Sequence, residues 1–147
     1  MLKLTLIGFG LVAITIAIHS AGATLWIRFA AANFTPDNSG WSGRRALGTL
    51  MATGIVFLSL HVLEIFIWAC AYLWLLPASV FESMEAALYF SFVTFTTLGY
   101  GDIILDEGWR LLSGVEALNG LLLLGWTTAM MFTVVQKLWQ GLARNQR

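Results

Sequence analysis

Residues 94–102 read TFTTLGYGD, a polar and glycine-rich stretch that lies between two long apolar runs. Four hydroxyl groups, two glycines and one acid fall within these nine residues. Backbone of this kind is costly in lipid unless it lines water or an ion, because each polar group in the hydrocarbon needs a partner. The stretch therefore decides how the rest of the chain is placed.

The composition of the 147-residue chain is typical of a membrane protein. Hydrophobic residues make up 59% of it and charged residues only 11%, whereas about a quarter of the residues of a soluble domain are charged. The formal net charge of zero argues against a nucleic-acid partner. The sequence contains no metal-ligand cluster, phosphate loop or nucleophile triad, so we expect neither an enzyme nor a cofactor, and no small-molecule substrate.

Three stretches are long enough to cross a bilayer, which takes about 20 apolar residues. A further apolar patch, at 86–95, is too short to span and suits a re-entrant helix. We therefore predict an all-α membrane protein with three transmembrane helices, a re-entrant helix and an extended segment. The predicted parts are an N-terminal transmembrane helix (1–32), a loop (33–45), a two-span module (46–138) and a short tail (139–147). The module comprises an outer helix (46–76), a re-entrant helix (84–97), an extended segment (97–101) and an inner helix (109–138).

The orientation follows from the basic residues, which mark the cytoplasmic side of a membrane protein. With three spans, one side receives most of them, namely Arg28, Arg44, Arg45, Lys137, Arg144 and Arg147. An alternative is a signal peptide cleaved after the small residues 21–23, but it would export the first three of these arginines. We therefore predict a multi-pass protein of the cell membrane, with the N-terminus outside and both the 33–45 loop and the C-terminus in the cytoplasm.

The extended segment suits coordination of a cation by backbone oxygens. The C-terminal end of the preceding helix carries partial negative charge, which favours a cation there. Glycine at positions 99 and 101 permits positive φ values, so that successive carbonyls can point to one side. Thr97 adds a hydroxyl group at the inner end.

The run Thr97-Leu98-Gly99-Tyr100-Gly101-Asp102 resembles the selectivity filter of potassium channels. The order of span, short helix, filter and span over about residues 47–138 resembles their pore module. The resemblance implies a homotetramer in a lipid bilayer, with potassium ions in the filter as the only metal. It implies that the ion ligands are Thr97, Leu98, Gly99, Tyr100 and Gly101. It implies filter support from Tyr89, Phe90, Val93, Thr94, Thr96 and Asp102.

The sequence departs from the family pattern around the filter. Leu98 stands where valine is usual, and Val93 where some members carry a buried glutamate. The pair Tyr89-Phe90 replaces an aromatic pair that is often two tryptophans. Because Phe90 cannot donate a hydrogen bond, we expect Asp102 to lack its usual partners and the network behind the filter to be weakened. The N-terminal span is an addition to the two-span module.

The third span resembles the pore-lining inner helix of this family. Gly120 and Gly125 are candidates for a gating hinge, because glycine weakens a helix by about 1 kcal/mol relative to alanine. Close helix packing is an equally good interpretation of either glycine. Candidates for the cavity and the inner gate are Leu121, Leu124, Thr128, Phe132, Val135 and Gln136. The alternative for each is a contact with lipid or a neighbouring helix.

Two pairs of polar residues lie inside the predicted spans at a separation of three, His61 with Glu64 and Glu116 with Asn119. Members of such a pair share a helix face, and a charged group in hydrocarbon is costly, so they should face protein or water. We expect a polar network that ties the spans together behind the short helix. The alternative is that His61 and Glu64 titrate together and couple pH to gating. His19 is expected to pack or to form a hydrogen bond.

The leading functional prediction is a passive, potassium-selective channel. Steep voltage dependence is not expected, since neither of the first two spans has the series of arginines that a voltage sensor needs. One alternative is a poorly selective cation channel. Another is a membrane subunit with a sensing or structural role that retains the pore module without conducting.

Overall fold

The computed structural model describes residues 2–34 and 42–144. Within these ranges all regular secondary structure is helical, with α1 at Leu2–Phe34, α2 at Gly43–Leu75, α3 at Met84–Phe95 and α4 at Arg110–Arg144. The three long helices are long and apolar enough to cross a membrane, over Lys3–Asn33, Gly43–Leu75 and Arg110–Ala143. The 12 residues of α3 give a length of about 18 Å, which is too short to cross.

Local sequence explains where α2 and α3 begin and end. The side chain of Ser42 caps α2 by accepting a hydrogen bond from the Arg45 N–H, and Ser83 caps α3 in the same way. Serine is favoured at these positions because its oxygen satisfies a free N–H group of the first turn. At its other end α2 stops before Pro77, which disfavours the helical conformation for the preceding residue; Leu76 is accordingly extended.

Four predicted helix ends were wrong by two residues or more. Helix α1 ends at Phe34 instead of residue 32, and α2 begins at Gly43 instead of residue 46. The short helix was predicted to reach residue 97, but α3 ends at Phe95, because Thr97 has a positive φ of 59° that no α-helix accepts. The inner helix was predicted to end at 138, but α4 continues to Arg144, so most of the predicted tail is helical. The additional residues include good helix formers, and basic residues suit a helix C-terminus. Most of the predicted 33–45 loop, residues 35–41, lies outside the described residues.

The N-terminal helix α1 packs against both α2 and α4. Near its start, a side chain at Gly8 would contact Leu112 and Val115 of α4; further along, a side chain at Gly22 would meet Leu60 of α2 at 2.5 Å. Small residues of this kind let membrane helices approach closely. Along α1, residues 8, 15 and 19 lie against residues 112, 119 and 127 of α4, in that order. The two helices are therefore parallel, and both begin on the same side of the bundle.

The buried core surrounds α3 and fixes its position between α2 and α4. The ring of Tyr72 on α2 meets Phe90 of α3 edge to face, with centroids 5.2 Å apart. Phe81, in the loop before α3, lies 5.3 Å from the same Phe90 ring. Phe95, the last residue of α3, and Leu123 of α4 are both fully buried. The chain segment that follows α3 therefore starts from a rigidly held point.

Candidate functional site

The segment from Thr96 to Asp102, here called the GYG loop, is tied to the C-terminal end of α3 by hydrogen bonds. The Thr96 N–H donates to the Phe92 carbonyl at 3.1 Å, and the N–H groups of Leu98 and Gly99 both donate to the Val93 carbonyl, at 2.9 and 3.2 Å. These bonds use carbonyls that a helix C-terminus otherwise leaves unpaired. The Thr96 hydroxyl also donates to the Phe92 carbonyl, at 2.6 Å, so both backbone and side-chain hydrogen bonds hold the start of the loop.

Positive φ values alternate along the GYG loop. They occur at Thr97 (59°), Gly99 (57°) and Gly101 (78°). The two glycines adopt them as the sequence indicated, because glycine has no Cβ to clash. Sequence reasoning did not predict the value at Thr97, where a left-handed conformation costs roughly 1–2 kcal/mol in a residue that has a Cβ.

The side of the GYG loop that carries the Leu98 and Tyr100 side chains is exposed in the single chain. The side chains of Leu98 and Tyr100 are 56% and 67% exposed, and nothing lies within 4 Å of a Cβ added at Gly99 or Gly101. The opposite side faces a cavity of about 370 Å³ between the loop, α3 and α4. Five of the predicted support residues line this cavity, namely Tyr89, Phe90, Val93, Thr94 and Asp102. Thr96 instead caps α3.

Asp102 has a hydrogen-bond partner, contrary to the expectation from the sequence. The Tyr89 hydroxyl donates to Asp102 Oδ2 at 2.7 Å, and Phe90 is buried in the core instead. This bond lowers the pKa of the Asp102 carboxyl, because it stabilises the charged form. The same bond raises the pKa of the Tyr89 hydroxyl. The prediction failed because it considered Phe90 alone, whereas Tyr89 reaches across the cavity.

Replacing Tyr89 by phenylalanine should remove this support from the outer end of the loop. We expect Tyr89→Phe to lower the thermal midpoint at neutral pH, where Asp102 is charged and accepts the bond. The pKa of the Asp102 carboxyl is lowered in the folded protein. The bond therefore stabilises the folded protein at pH values above the ordinary pKa of an aspartate, and this stabilisation is lost as the pH falls through the lowered pKa. The difference between the two proteins should therefore shrink in acid. The control is Asp106→Asn, which removes an exposed acid of the same outer segment and leaves the bond from Tyr89 to Asp102 in place. Equal thermal midpoints for Tyr89→Phe and wild type at neutral pH would contradict the prediction.

A polar network lies behind α3 and joins three helices. The carboxylate of Glu116, on α4, contacts the hydroxyl of Tyr72 on α2 at 2.6 Å and the hydroxyl of Ser91 on α3. Ser91 also lies 3.1 Å from the Ile65 carbonyl. All of these side chains are buried. Glu116 was predicted as a network member, whereas Tyr72 and Ser91 were missed, since single hydroxyl groups are common in apolar spans.

Asn119 belongs to a different contact from Glu116 although the two share α4. Its side-chain amide donates to the Thr15 hydroxyl of α1 at 2.9 Å. His61 Nδ1 lies 2.9 Å from Glu64 Oε2 on the same face of α2. Glu64 has a second partner in His19 of α1, at 2.8 Å, so His19 forms a hydrogen bond as expected. These two contacts of Thr15 and His19 thus tie α1 to α4 and to α2.

The two predicted hinge glycines have very different surroundings. Gly120 is buried, and a Cβ added there would lie 1.9 Å from the carbonyl oxygen of Phe95. A Cβ at Gly125 would meet nothing within 4 Å. The contact at Gly120 fits the alternative interpretation, close packing, and α4 runs through both positions as one helix.

The six cavity and gate candidates lie along the remainder of α4. Leu121, Thr128, Phe132, Val135 and Gln136 are exposed in the single chain, and Leu124 packs against the core. Exposure on a single chain is compatible with a pore, with lipid and with a partner helix alike. Their roles at a cavity or gate stay predictions.

The chain matches a known protein family over its C-terminal part. A family model described as "Ion channel" matches residues 60–137, which is more than half of the chain. The matched region covers the second part of α2, all of α3, the GYG loop and most of α4. No curated protein and no solved structure matches the chain significantly.

Proposed function

This chain belongs to the ion channel family, with a pore module of the two-span, potassium-channel-like type, and we propose that it is a potassium-selective channel. Conduction is passive and passes through the GYG loops of a homotetramer. The observation that carries this proposal is the alternation of positive φ values at Thr97, Gly99 and Gly101 in an exposed loop that begins at a helix C-terminus.

The backbone conformation of the GYG loop supports coordination of a dehydrated cation. Alternating φ signs allow consecutive carbonyls to face one side, and rings of carbonyl oxygens replace the hydration shell of potassium in filters of this kind. The ligands are the oxygens of residues 97–101. The partial negative charge at the C-terminus of α3 adds to the attraction for a cation, and Asp102, charged at neutral pH, contributes at the outer mouth.

A single GYG loop cannot surround an ion, so the proposal requires several copies around one axis. Closed rings of identical subunits are the usual solution, and filters of this type are built from four strands. The exposed side chains of Leu98 and Tyr100 then contact neighbouring copies. In this arrangement α3 is a re-entrant helix, because it is too short to cross the bilayer.

The orientation is also part of the proposal. Gly8 of α1 lies against Leu112 near the start of α4, so the N-terminus shares a side with the GYG loop. With the basic residues in the cytoplasm, that side is the outside of the cell membrane. The described part of α1 carries basic residues only near its ends, Lys3 and Arg28, which supports gating by a stimulus other than voltage.

Flux from liposomes that contain only this protein tests the proposal. We expect efflux of potassium and rubidium, little efflux of sodium, and block by external barium. Equal rates for sodium and potassium would instead indicate a poorly selective cation channel. No flux of any of these ions across pH and lipid conditions, from protein shown to be folded, would indicate a non-conducting subunit.

A further inference from the structure

Four polar side chains of α1, α2 and α4 form a closed ring of hydrogen bonds inside the bundle. Glu64 lies between the Nδ1 atoms of the two histidines, with Oε1 2.8 Å from His19 and Oε2 2.9 Å from His61. On the opposite side, the Thr127 hydroxyl lies 2.9 Å from His61 Nε2 and 3.3 Å from His19 Nε2. We call this set of four residues the His-Glu ring.

Counting hydrogens shows that the His-Glu ring is complete only when its carboxyl and imidazole groups hold at least three protons. Each of its four contacts needs one hydrogen between the two atoms that it joins. Thr127 supplies one, so the carboxyl and the two imidazoles together hold three. Three protons make the set electrically neutral, whether as one carboxylate, one imidazolium and one imidazole or as a neutral acid with two imidazoles.

Burial makes this neutrality important. His19 and Glu64 are completely buried and His61 is nearly so, and a net charge inside a membrane protein is strongly disfavoured. Loss of one proton leaves one contact without its hydrogen and a buried negative charge. Gain of one proton leaves all four contacts possible, because the Thr127 oxygen can accept from both Nε2–H groups, but it leaves a buried positive charge. The ring therefore opens when it loses a proton from its neutral state.

Among the described residues, the aromatic rings beside the two histidines belong to Phe57, Trp126 and Phe95, which do not titrate. The ring of His19 lies 6.0 Å from Phe57 of α2 and 5.6 Å from Trp126 of α4, and His61 lies 6.0 Å from Phe95 of α3. Lys3 and Arg28 are near the two ends of α1. Phe95 directly precedes the GYG loop. A movement of the His61 ring would therefore act on the residue next to the proposed ion pathway.

Protons explain these contacts better than a metal ion does. The ligand atoms of His19, His61 and Glu64 lie within 4.8 Å of one another. However, the carboxylate oxygens approach the imidazole nitrogens to 2.8 and 2.9 Å. Donor atoms around a tetrahedral zinc at about 2.0 Å stand roughly 3.3 Å apart. The shorter distances are those of hydrogen bonds.

We propose that the His-Glu ring is a proton-dependent clasp that holds α1 to the two-span module, and that ion conduction depends on pH through it. The second half of this proposal rests on the proposed channel function, whereas the clasp itself does not. Opening of the clasp removes the contacts of His19 with Glu64 of α2 and with Thr127 of α4, whereas the hydrogen bond from Trp26 of α1 to Thr53 of α2 remains.

The variant Glu64→Gln separates the clasp from a general effect of pH. A glutamine amide donates to one imidazole and its carbonyl accepts from the other, so the ring closes with both histidines neutral and no additional proton. We expect the thermal midpoint of wild type in lipid nanodiscs to fall as the pH is raised from neutral into the alkaline range, because the ring then loses the proton that completes it. The midpoint of Glu64→Gln should stay level over that alkaline interval, apart from changes common to all variants.

A second variant, Thr127→Val, tests the ring without changing a titratable group. It leaves both Nε2 atoms without their partner and should lower the midpoint by about 3 °C or more near neutral pH. Thr133→Val is the matched control, because the Thr133 hydroxyl donates only to the Ala129 carbonyl of its own helix. Equal alkaline losses in wild type and Glu64→Gln would overturn the proposal, as would equal midpoints for the two threonine variants. A midpoint that follows added zinc or EDTA instead of pH would overturn it as well.

Potassium flux measured on the same proteins tests the coupling to conduction. We expect wild-type flux to fall at least several-fold over the alkaline interval, and Glu64→Gln flux to keep its neutral value. A potassium flux that does not change with pH, together with the expected thermal midpoints, would overturn the coupling of the clasp to conduction but not the clasp itself. Protein with the expected midpoints and no flux at any pH would overturn the channel function instead.

Discussion

Replacing Gly120 by alanine should prevent assembly of a functional protein. The added Cβ would lie 1.9 Å from the Phe95 carbonyl oxygen and 2.7 Å from the carbonyl carbon. These atoms belong to the backbone, so no change of rotamer relieves the clash. We expect Gly120→Ala to lose flux entirely and to run as unfolded or aggregated protein in size-exclusion chromatography.

The expected cost follows from what the clash would displace. Overpacking a core with flexible side chains typically costs about 1–3 kcal/mol, and here helix α4 or the end of α3 must move instead. The end of α3 is held by the buried core and by the hydrogen bonds that start the GYG loop. A movement there reaches Thr97 and Gly99 directly, so even a folded variant should have a disturbed loop.

Gly125→Ala is the matched control on the same helix. A Cβ at this position meets nothing within 4 Å, and alanine favours a helix over glycine by about 1 kcal/mol. We expect this variant to fold and to melt at or above the wild-type temperature. If Gly120→Ala instead gave folded protein with an unchanged midpoint and an altered open probability, the hinge interpretation would replace the packing one.

Hydropathy and motif spacing predicted most of the fold. The three spans follow from the length of their apolar runs, and the short helix follows from a run too short to cross. Glycine at positions 99 and 101 permits the positive φ values found there. Such features depend on local sequence, so they can be read without knowing which helices are neighbours.

The contacts between helices were less accessible from the sequence. His19 and Glu64 are 45 residues apart, and only the antiparallel packing of α1 on α2 brings them together. The same holds for Tyr72 and Glu116, whose separation is 44 residues. Residue spacing within one helix shows that two groups share a face, but it does not show which helix that face meets. The missed bond from Tyr89 to Asp102 joins α3 to the loop that follows it, 13 residues further on, and spacing within a helix does not show it either.

The strongest test of the GYG loop itself is Gly99→Ala. Gly99 has a φ of 57°, and an added Cβ would meet nothing within 4 Å in the single chain. The effect within the chain is therefore one of backbone preference. A left-handed conformation costs about 1–2 kcal/mol in a residue with a Cβ, and in a homotetramer each subunit incurs it.

We expect Gly99→Ala to fold but to lose selectivity. A change of φ at residue 99 would relieve the strain but would turn a carbonyl away from the ion. The ratio of potassium to sodium flux should therefore fall by about tenfold or more, which corresponds to roughly 1.4 kcal/mol. The measurement is the efflux of each ion from liposomes that hold equal amounts of protein.

Leu98→Val provides the control for this prediction. It changes an exposed side chain of the same loop while the backbone, which supplies the ligand oxygen, stays free to keep its conformation. Wild-type selectivity in Leu98→Val together with its loss in Gly99→Ala would assign selectivity to the backbone of the loop. Unchanged selectivity in both variants would contradict that assignment, because a filter made of carbonyl oxygens cannot be indifferent to the conformation that aims them.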